Sequence, residues 1–252
     1  MILQIQTNPL EEFFNVFGFW DHLLTGFLTM LWIYVFALIF GFFLGILLTI
    51  ARQYGGNILS RISTVYIEIV RGTPLLAQTL LLFYLPTSLG LPITDLKLEF
   101  DFILFGKDIN LTLFNQAILI GIITLGLNSA AYQAEYFRGA IISVGEGQII
   151  AAQSLGMSRL SGIYHVVLPQ ALRRVIPSWS NEAAYLPKYT VVVYFIGVKE
   201  LFREAYYIMS HPNISITPLS IYIVIALIFL IMISLISKGL DVLHQRTAIP
   251  GL

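Results

Sequence analysis

Glu182 and Lys188 stand six residues apart in a mostly apolar stretch, with Asn181 and Tyr185 beside them. A carboxylate and an ammonium so placed suit a zwitterion, Glu182 facing its ammonium and Lys188 its carboxylate. Glu182 and Tyr185 share a helix face at their spacing of three. Two plainer readings compete: a structural salt bridge, or a Lys188 head that reaches along its stem to a polar boundary. Glu68 and Arg71 are three residues apart, as are Glu135 and Arg138, and that spacing lets each pair meet on one helix face. Asn128 and Tyr132 extend the second stripe. An ionisable side chain inside a membrane span costs ~2.5–3.5 kcal/mol on insertion scales unless it faces protein or water. These pairs therefore either neutralise one another and fix helix packing, or they line a path for a polar solute. His22, His165, His211 and His244 form no ligand spacing and there are no cysteines, so no metal is predicted. The sequence presents no nucleophile–base cluster, and no residue is assigned a catalytic role.

The elements that must hold these residues are membrane spans. Hydrophobic residues make up 57% of the chain and charged residues 11%, with a mean hydropathy of +0.82. Soluble domains carry about a quarter charged residues. A bilayer core of ~30 Å takes about 20 apolar residues as a helix, because lipid cannot satisfy free backbone groups. No Asp, Glu, Lys or Arg falls between Asp21 and Arg52, which predicts a first span at residues 23–50. Further spans are predicted at 62–85, 109–134, 175–198 and 219–237, five in all. The fourth is the hardest to place, because Pro169, Pro177 and Pro187 break the segment and proline removes a helix hydrogen bond. The expected fold class is all-α, a polytopic transmembrane helical bundle in one domain over residues 1–252. Glu11, Glu12 and Asp21 precede the first Lys or Arg, Arg52, so the first apolar run is read as a retained span and not a secretory signal.

Lys and Arg near the span ends set orientation. Arg52 and Arg61 follow the first span; Arg138, Arg159, Arg173 and Arg174 surround the loop after the third; Lys238 and Arg246 follow the fifth. The other side holds the acidic N-terminus and Asp95, Glu99, Asp101 and Asp108 against Lys97 and Lys107. The N-terminus is thus expected outside and the C-terminus in the cytoplasm, with residues 139–174 a cytoplasmic loop and 88–112 an external one. Within 93–113, the alternation of Leu96, Leu98, Phe100 and Phe102 fits a small hairpin, and a plain covering loop fits as well.

In the cytoplasmic loop, Gly147 is followed by good helix formers: Gln148, Ile149, Ile150, Ala151, Ala152, Gln153, Ser154 and Leu155. Gly156 takes the place of a left-handed C-terminal cap and Ser158 that of an N-cap for the next helix. Such a short helix has an apolar side, and small Ala151 and Ala152 permit close backbone approach. It is shaped to enter a partner's groove. A helix lying on the membrane surface is the competing reading.

Ala151, Ala152, Gly156, Val166, Leu168 and Pro169 follow the spacing of the EAA loop, and by them the chain resembles the permease subunits of ABC importers. Ile150 stands where that family has its glutamate. Tyr66, Glu68, Arg71, Gly72, Thr73, Pro74, Leu75, Leu76 and Gln78 are similar to the RGTPLL-Q stretch of the polar amino acid permeases, the histidine, glutamine and arginine group. Ala131, Tyr132, Ala134, Glu135, Phe137, Arg138 and Gly139 are similar to its AY-AE-FRG element. Gly147 and Gln148 fit its GQ, and Leu168, Pro169, Gln170 and Ala171 its LPQA. Asn181, Glu182, Lys188, Thr190, Ile196, Gly197, Val198, Glu200 and Leu201 follow the segment ending IGV-EL, with Tyr189 for the usual Asp and Val191 for the usual Ser. The resemblance covers about residues 24–240.

It implies the type I importer permease (MetI-like) fold and a place in the cytoplasmic membrane. The function it implies is the membrane-spanning subunit of an ATP-driven importer for amino acids or similar small polar solutes. Gly147, Gln148, Ile150, Ala151, Ala152, Leu155, Gly156 and Met157 would then form the coupling helix on which a separate ATPase subunit docks. The other implied partners are a second permease subunit, identical or paralogous, an extracytoplasmic solute-binding protein and the lipid bilayer, with no nucleic acid. Glu68, Arg71, Asn181, Glu182, Tyr185 and Lys188 become candidates for the translocation pathway. The sequence has no G-x-x-x-x-G-K-[ST] phosphate loop, so this chain is expected not to be an enzyme and to hold no cofactor, ATP and magnesium binding on the ATPase subunit. The alternative class, a stand-alone secondary carrier or channel, would normally carry inverted repeats or more spans.

Overall fold

The computed structural model describes residues 9–91, 97–210 and 216–247. Helix α1, Pro9–Val16, leads through a 3-10 turn, Phe17–Phe19, into α2, Trp20–Tyr54, which contains the uncharged run and overshoots the predicted span at both ends. The predicted second span is not one helix. It is α3, Gly56–Gly72, and α4, Leu75–Ser88, with a bend of 107° between them. The cause is Thr73–Pro74. The residue before a proline is pushed out of the helical region, and Thr73 is extended, at φ −117° and ψ 147°.

Strands β1, Leu98–Leu104, and β2, Lys107–Phe114, pair antiparallel across a two-residue turn. Phe105 and Gly106 both have positive φ, 48° and 78°, the handedness that matches the twist of a tight hairpin. The hairpin reading of 93–113 therefore holds for 98–113, and this small sheet is an addition to the all-α expectation. Residues 93–96, Asp95 among them, lie outside the described residues, as does His211. The strand also displaces the start of the predicted third span: α5 runs Gln116–Val144. Asn115 Oδ1 accepts from the Ile118 N–H at 2.8 Å and caps it.

Helix α6, Gly147–Ser154, and α7, Arg159–Gly162, are followed by a π turn, Ile163–Val167, and α8, Leu168–Tyr189. The prolines do not break the segment as expected. α8 stays helical through Pro169, Pro177 and Pro187 and tightens to 3-10 only at Thr190–Ile196, where Gly197 ends it at φ 85°. Helices α9, Leu201–Ser210, and α10, Pro218–Thr247, complete the chain. Among the described residues, three helical stretches are long and apolar enough to cross a membrane, and the bent α3–α4 pair makes a fourth. The fourth predicted span, 175–198, falls on α8 and the 3-10 turn after it. The 22 residues of α8 are long enough, but Arg173, Arg174, Glu182 and Lys188 keep it outside that apolar set.

The chain divides into two compact units. One comprises residues 1–36, 76–124 and 187–233. Here Glu12 accepts at Oε2 from the Thr217 N–H at 3.2 Å and from its hydroxyl at 2.7 Å, at the N-terminus of α10. The hairpin is tied to α2 by Trp32 Nε1, which donates to the Leu113 carbonyl at 2.9 Å. Glu200 accepts from the Phe202 and Arg203 N–H groups at 3.0 and 2.9 Å and starts α9, while its burial pushes the carboxyl up, to about 7. Gly26 is packed against backbone: a Cβ there would lie 2.8 Å from Leu201 Cα. Backbone cannot yield as a side chain does, so Gly26→Ala should destabilise by about 1–3 kcal/mol. The thermal midpoint of the detergent-solubilised chain checks this.

The other unit comprises residues 37–75, 125–186 and 234–252. Its main core gathers Phe137, Ile141 and Val144 of α5 with Val167, Ala171 and Val175 around the start of α8. Gly41 and Gly45 let α2 approach α5 closely, since a Cβ would come within 3.1 Å of Ser129 from the first and 3.0 Å of Gln133 from the second. One turn on, Thr49 donates to the Ala134 carbonyl at 2.9 Å. Small residues at this spacing drive helix association where lipid offers no hydrophobic effect. Gly45→Leu should therefore loosen α2 from α5 and lower the thermal midpoint in detergent, whereas Gly139→Ala, with open space at its Cβ, should not.

Candidate functional site

The connection between α5 and α8 is built as a small projecting body. Gly156 adopts φ 84°, the left-handed cap its position predicted. The Met157 N–H bonds back to the Ala152 carbonyl at 3.1 Å and the Gly156 N–H to the Gln153 carbonyl at 2.9 Å. Those two bonds are the Schellman pattern that closes a helix end. Ser158 caps α7 as predicted, its hydroxyl accepting from the Ser161 N–H at 3.2 Å. Ala152 is buried, and a Cβ on Gly162 would lie 3.3 Å from its methyl. The small residue pair thus welds α6 to α7.

The opposite side of α6 has no cover among the described residues. Leu155 is 86% exposed and Ile150 61%, with Ala151 beside them and Leu160 and Tyr164 also exposed. Gly147, Gln148 and Gly156 are exposed and Met157 half-buried. Of the eight predicted coupling residues, Gly147, Gln148, Ile150, Ala151 and Ala152 lie in α6, and Leu155, Gly156 and Met157 form its C-terminal cap. A cleft of about 450 Å³ adjoins it, lined in part by Tyr54, Glu146, Ile149 and Arg159.

Helix α8 sorts its polar residues by face. Glu182 is buried, and Ser129 Oγ donates to its carboxylate at 2.7 Å. Gln133 Nε2 donates to Ser129 Oγ at 3.0 Å, and Trp179 Nε1 to Gln133 Oε1 at 2.7 Å. Glu182 is thus the end of a buried chain joining α8 to α5. Asn181 and Tyr185 are exposed, and so, further along the helix, is Lys188. Glu182 and Tyr185, three apart on one intact helix, differ in burial: with Ala171, Val175 and Leu186 turned inward, α8 buries Glu182 and leaves Tyr185 half exposed.

The charged pairs of α3 and α5 do not both form. Glu135 pairs with Arg138, Nε to Oε2 at 2.8 Å, as the spacing predicts. Glu68 is exposed and does not pair with Arg71. Arg71 turns instead to Glu135, 3.9 Å away, and lies over the Tyr132 ring, 5.2 Å from its centroid. Arg52, at the end of α2, also bonds Glu135. One carboxylate thereby gathers three guanidiniums from three helices.

Sequence reasoning missed Ser129, Gln133 and Trp179, which have no charge to mark them. The signal available was small-residue spacing: Gly41, Gly45 and Thr49 on one helix, Ser129, Ala130 and Ala134 on another.

Comparison with known proteins bears on this arrangement. Residues 37–249 match a family described as "Binding-protein-dependent transport system inner membrane component". The chain is 32% identical over 227 residues to the glutamine transport system permease protein GlnP of Escherichia coli (strain K12), covering 90% of this chain and 93% of that protein. It is 33% identical to the L-cystine transport system permease protein TcyB of Bacillus subtilis (strain 168), covering 91% and 88%. A solved structure, described as an amino acid ABC transporter with histidines, aligns at a TM-score of 0.76 and 28% identity over 93% of this chain and 98% of that one.

Proposed function

The chain belongs to the family of binding-protein-dependent transport system inner membrane components, and from that premise we propose how its geometry serves transport. It is a permease subunit of an ABC importer for amino acids or similar small polar solutes, with the type I, MetI-like fold. The single observation that carries the coupling mechanism is the α6 body: rigidly capped, welded to α7 through Ala152 and Gly162, and apolar where it projects.

A separate ATPase subunit seats on Gly147, Gln148, Ile150, Ala151, Ala152, Leu155, Gly156 and Met157. Ile150 in place of the family's glutamate makes this contact apolar, with Leu155 as its deepest anchor. ATP and magnesium bind on that ATPase, and this chain contributes no catalytic group. A second permease subunit, identical or paralogous, faces it across the path, and a solute-binding protein delivers the solute from outside. The distribution of Lys and Arg supports an N-terminus outside and a C-terminus in the cytoplasm, on the same side as α6. ATP-driven closure of the ATPase dimer then moves α6, and with it the lower end of α8.

For the pathway, Asn181, Tyr185 and Lys188 are exposed polar groups in the C-terminal half of α8, and we assign them to meet solute. Glu182 supports them from within through Ser129, and Glu68 and Arg71 flank the α3–α4 elbow. A plain test is to isolate the tagged chain in mild detergent and reconstitute it with what copurifies. The expected result is a soluble ATPase partner and amino-acid-stimulated ATP hydrolysis. Transport by the chain alone, driven by an ion gradient without ATP, would refute the reading.

A further inference from the structure

A second polar cleft, of about 330 Å³, opens between the start of α2, strand β2 and α9. It lies within the range of small-ligand pockets, ~300–1,000 Å³, and charges of both signs line it: Asp21, Asp108 and Glu204 against His22 and Lys199. Two of the acids are held in place by basic neighbours. Glu204 Oε2 is 2.7 Å from His22 Nδ1, whose ring stacks on Tyr207 at 4.8 Å, and Asp21 Oδ1 takes the Lys107 ammonium at 2.6 Å. Asp108 and Lys199 are exposed and form no salt bridge among the described residues. Fixed walls with an available carboxylate and an available ammonium are the complement of a zwitterion.

We propose that this cleft is a receiving site for the free α-amino acid. Asp108 meets the ammonium, Lys199 the carboxylate, and the His22–Glu204 pair forms the floor beneath them. The inference rests on the transport reading above, under which this end of α2 faces outside. It adds a station that none of the α8 residues provides. A docking side chain of the solute-binding protein is the rival occupant. Concavity of one-residue size with both charge signs favours the free solute.

The chain lacks cysteine, so Thr25→Cys, whose side chain lines the cleft, gives a single thiol. In intact cells expressing the full importer, a membrane-impermeant maleimide should label it. The standard amino acids and L-cystine, added after the solute-binding protein has been removed from these cells, are the probes, with their α-carboxamides and decarboxylated amines as controls. At least one transported amino acid should slow labelling several-fold and its controls should not. Lys199→Gln should abolish that protection while labelling itself persists. Labelling only after lysis, or protection by the binding protein alone, overturns the receiving site. So does absence of protection in cells that, before that removal, do take up one of these amino acids, and that result leaves the importer reading intact. Uptake of none of them defeats both.

Discussion

Leu155→Asp should abolish solute-stimulated ATP hydrolysis and uptake while leaving the thermal stability of the chain within experimental error. The asymmetry follows from its place. At 86% exposed, Leu155 contributes almost nothing to the core of its own chain, and surface substitutions usually fall within about ±0.5 kcal/mol. On the proposed docking the same side chain would be buried against the ATPase at the end of α6, where losing an anchor costs about 2 kcal/mol or more. That alone is roughly thirtyfold in affinity, and an unpaired carboxylate in an apolar groove adds to it. Leu155→Met should retain most activity. Copurification of the ATPase, uptake, and a melting curve on the same sample measure all three quantities. Undiminished coupling in Leu155→Asp would move the docking surface elsewhere.

Glu135→Ala should destabilise the chain strongly for a change at a partly exposed position of α5. Its carboxylate takes Arg138 at 2.8 Å, Arg52, and Arg71 at 3.9 Å. Removing one partner of a buried ionic cluster costs about 3–5 kcal/mol, because the charges left behind have no compensation. Here three guanidiniums would be left. Their side chains are 21–42% exposed, so the expected cost lies near the lower bound, about 3 kcal/mol. Arg71→Ala, which removes the longest contact, should cost far less. Monodisperse yield in detergent and the thermal midpoint separate the two. If Glu135→Ala matches the parent chain in both, the cluster is ornamental to folding.

The large features were legible because each has a one-dimensional signature. The charge-free run gave α2, the alternation at Phe100 and Phe102 gave β1, and Gly156 and Ser158 gave both caps of the α6–α7 body. What stayed hidden is relational. No local pattern states that Arg71 prefers Glu135, sixty-four residues away, to Glu68 on its own helix. The elbow at Thr73–Pro74 was written in the sequence as a proline after an unfavoured helical residue, yet averaging hydropathy over 62–85 smooths it into one span. The rotation of α8 depends on which neighbours cover Val175 and Leu186, so the burial of Glu182 could not be read from spacing alone.

The uninterrupted course of α8 through its prolines has a mechanical consequence. Pro177 and Pro187 carry no N–H, so the Arg173 and Ala183 carbonyls each lack the amide donor that a regular rung would supply. Curvature costs least where a rung is already absent. The helix is therefore a jointed rod with compliance at two fixed heights, and a thrust delivered at its lower end arrives at the upper end partly as bending.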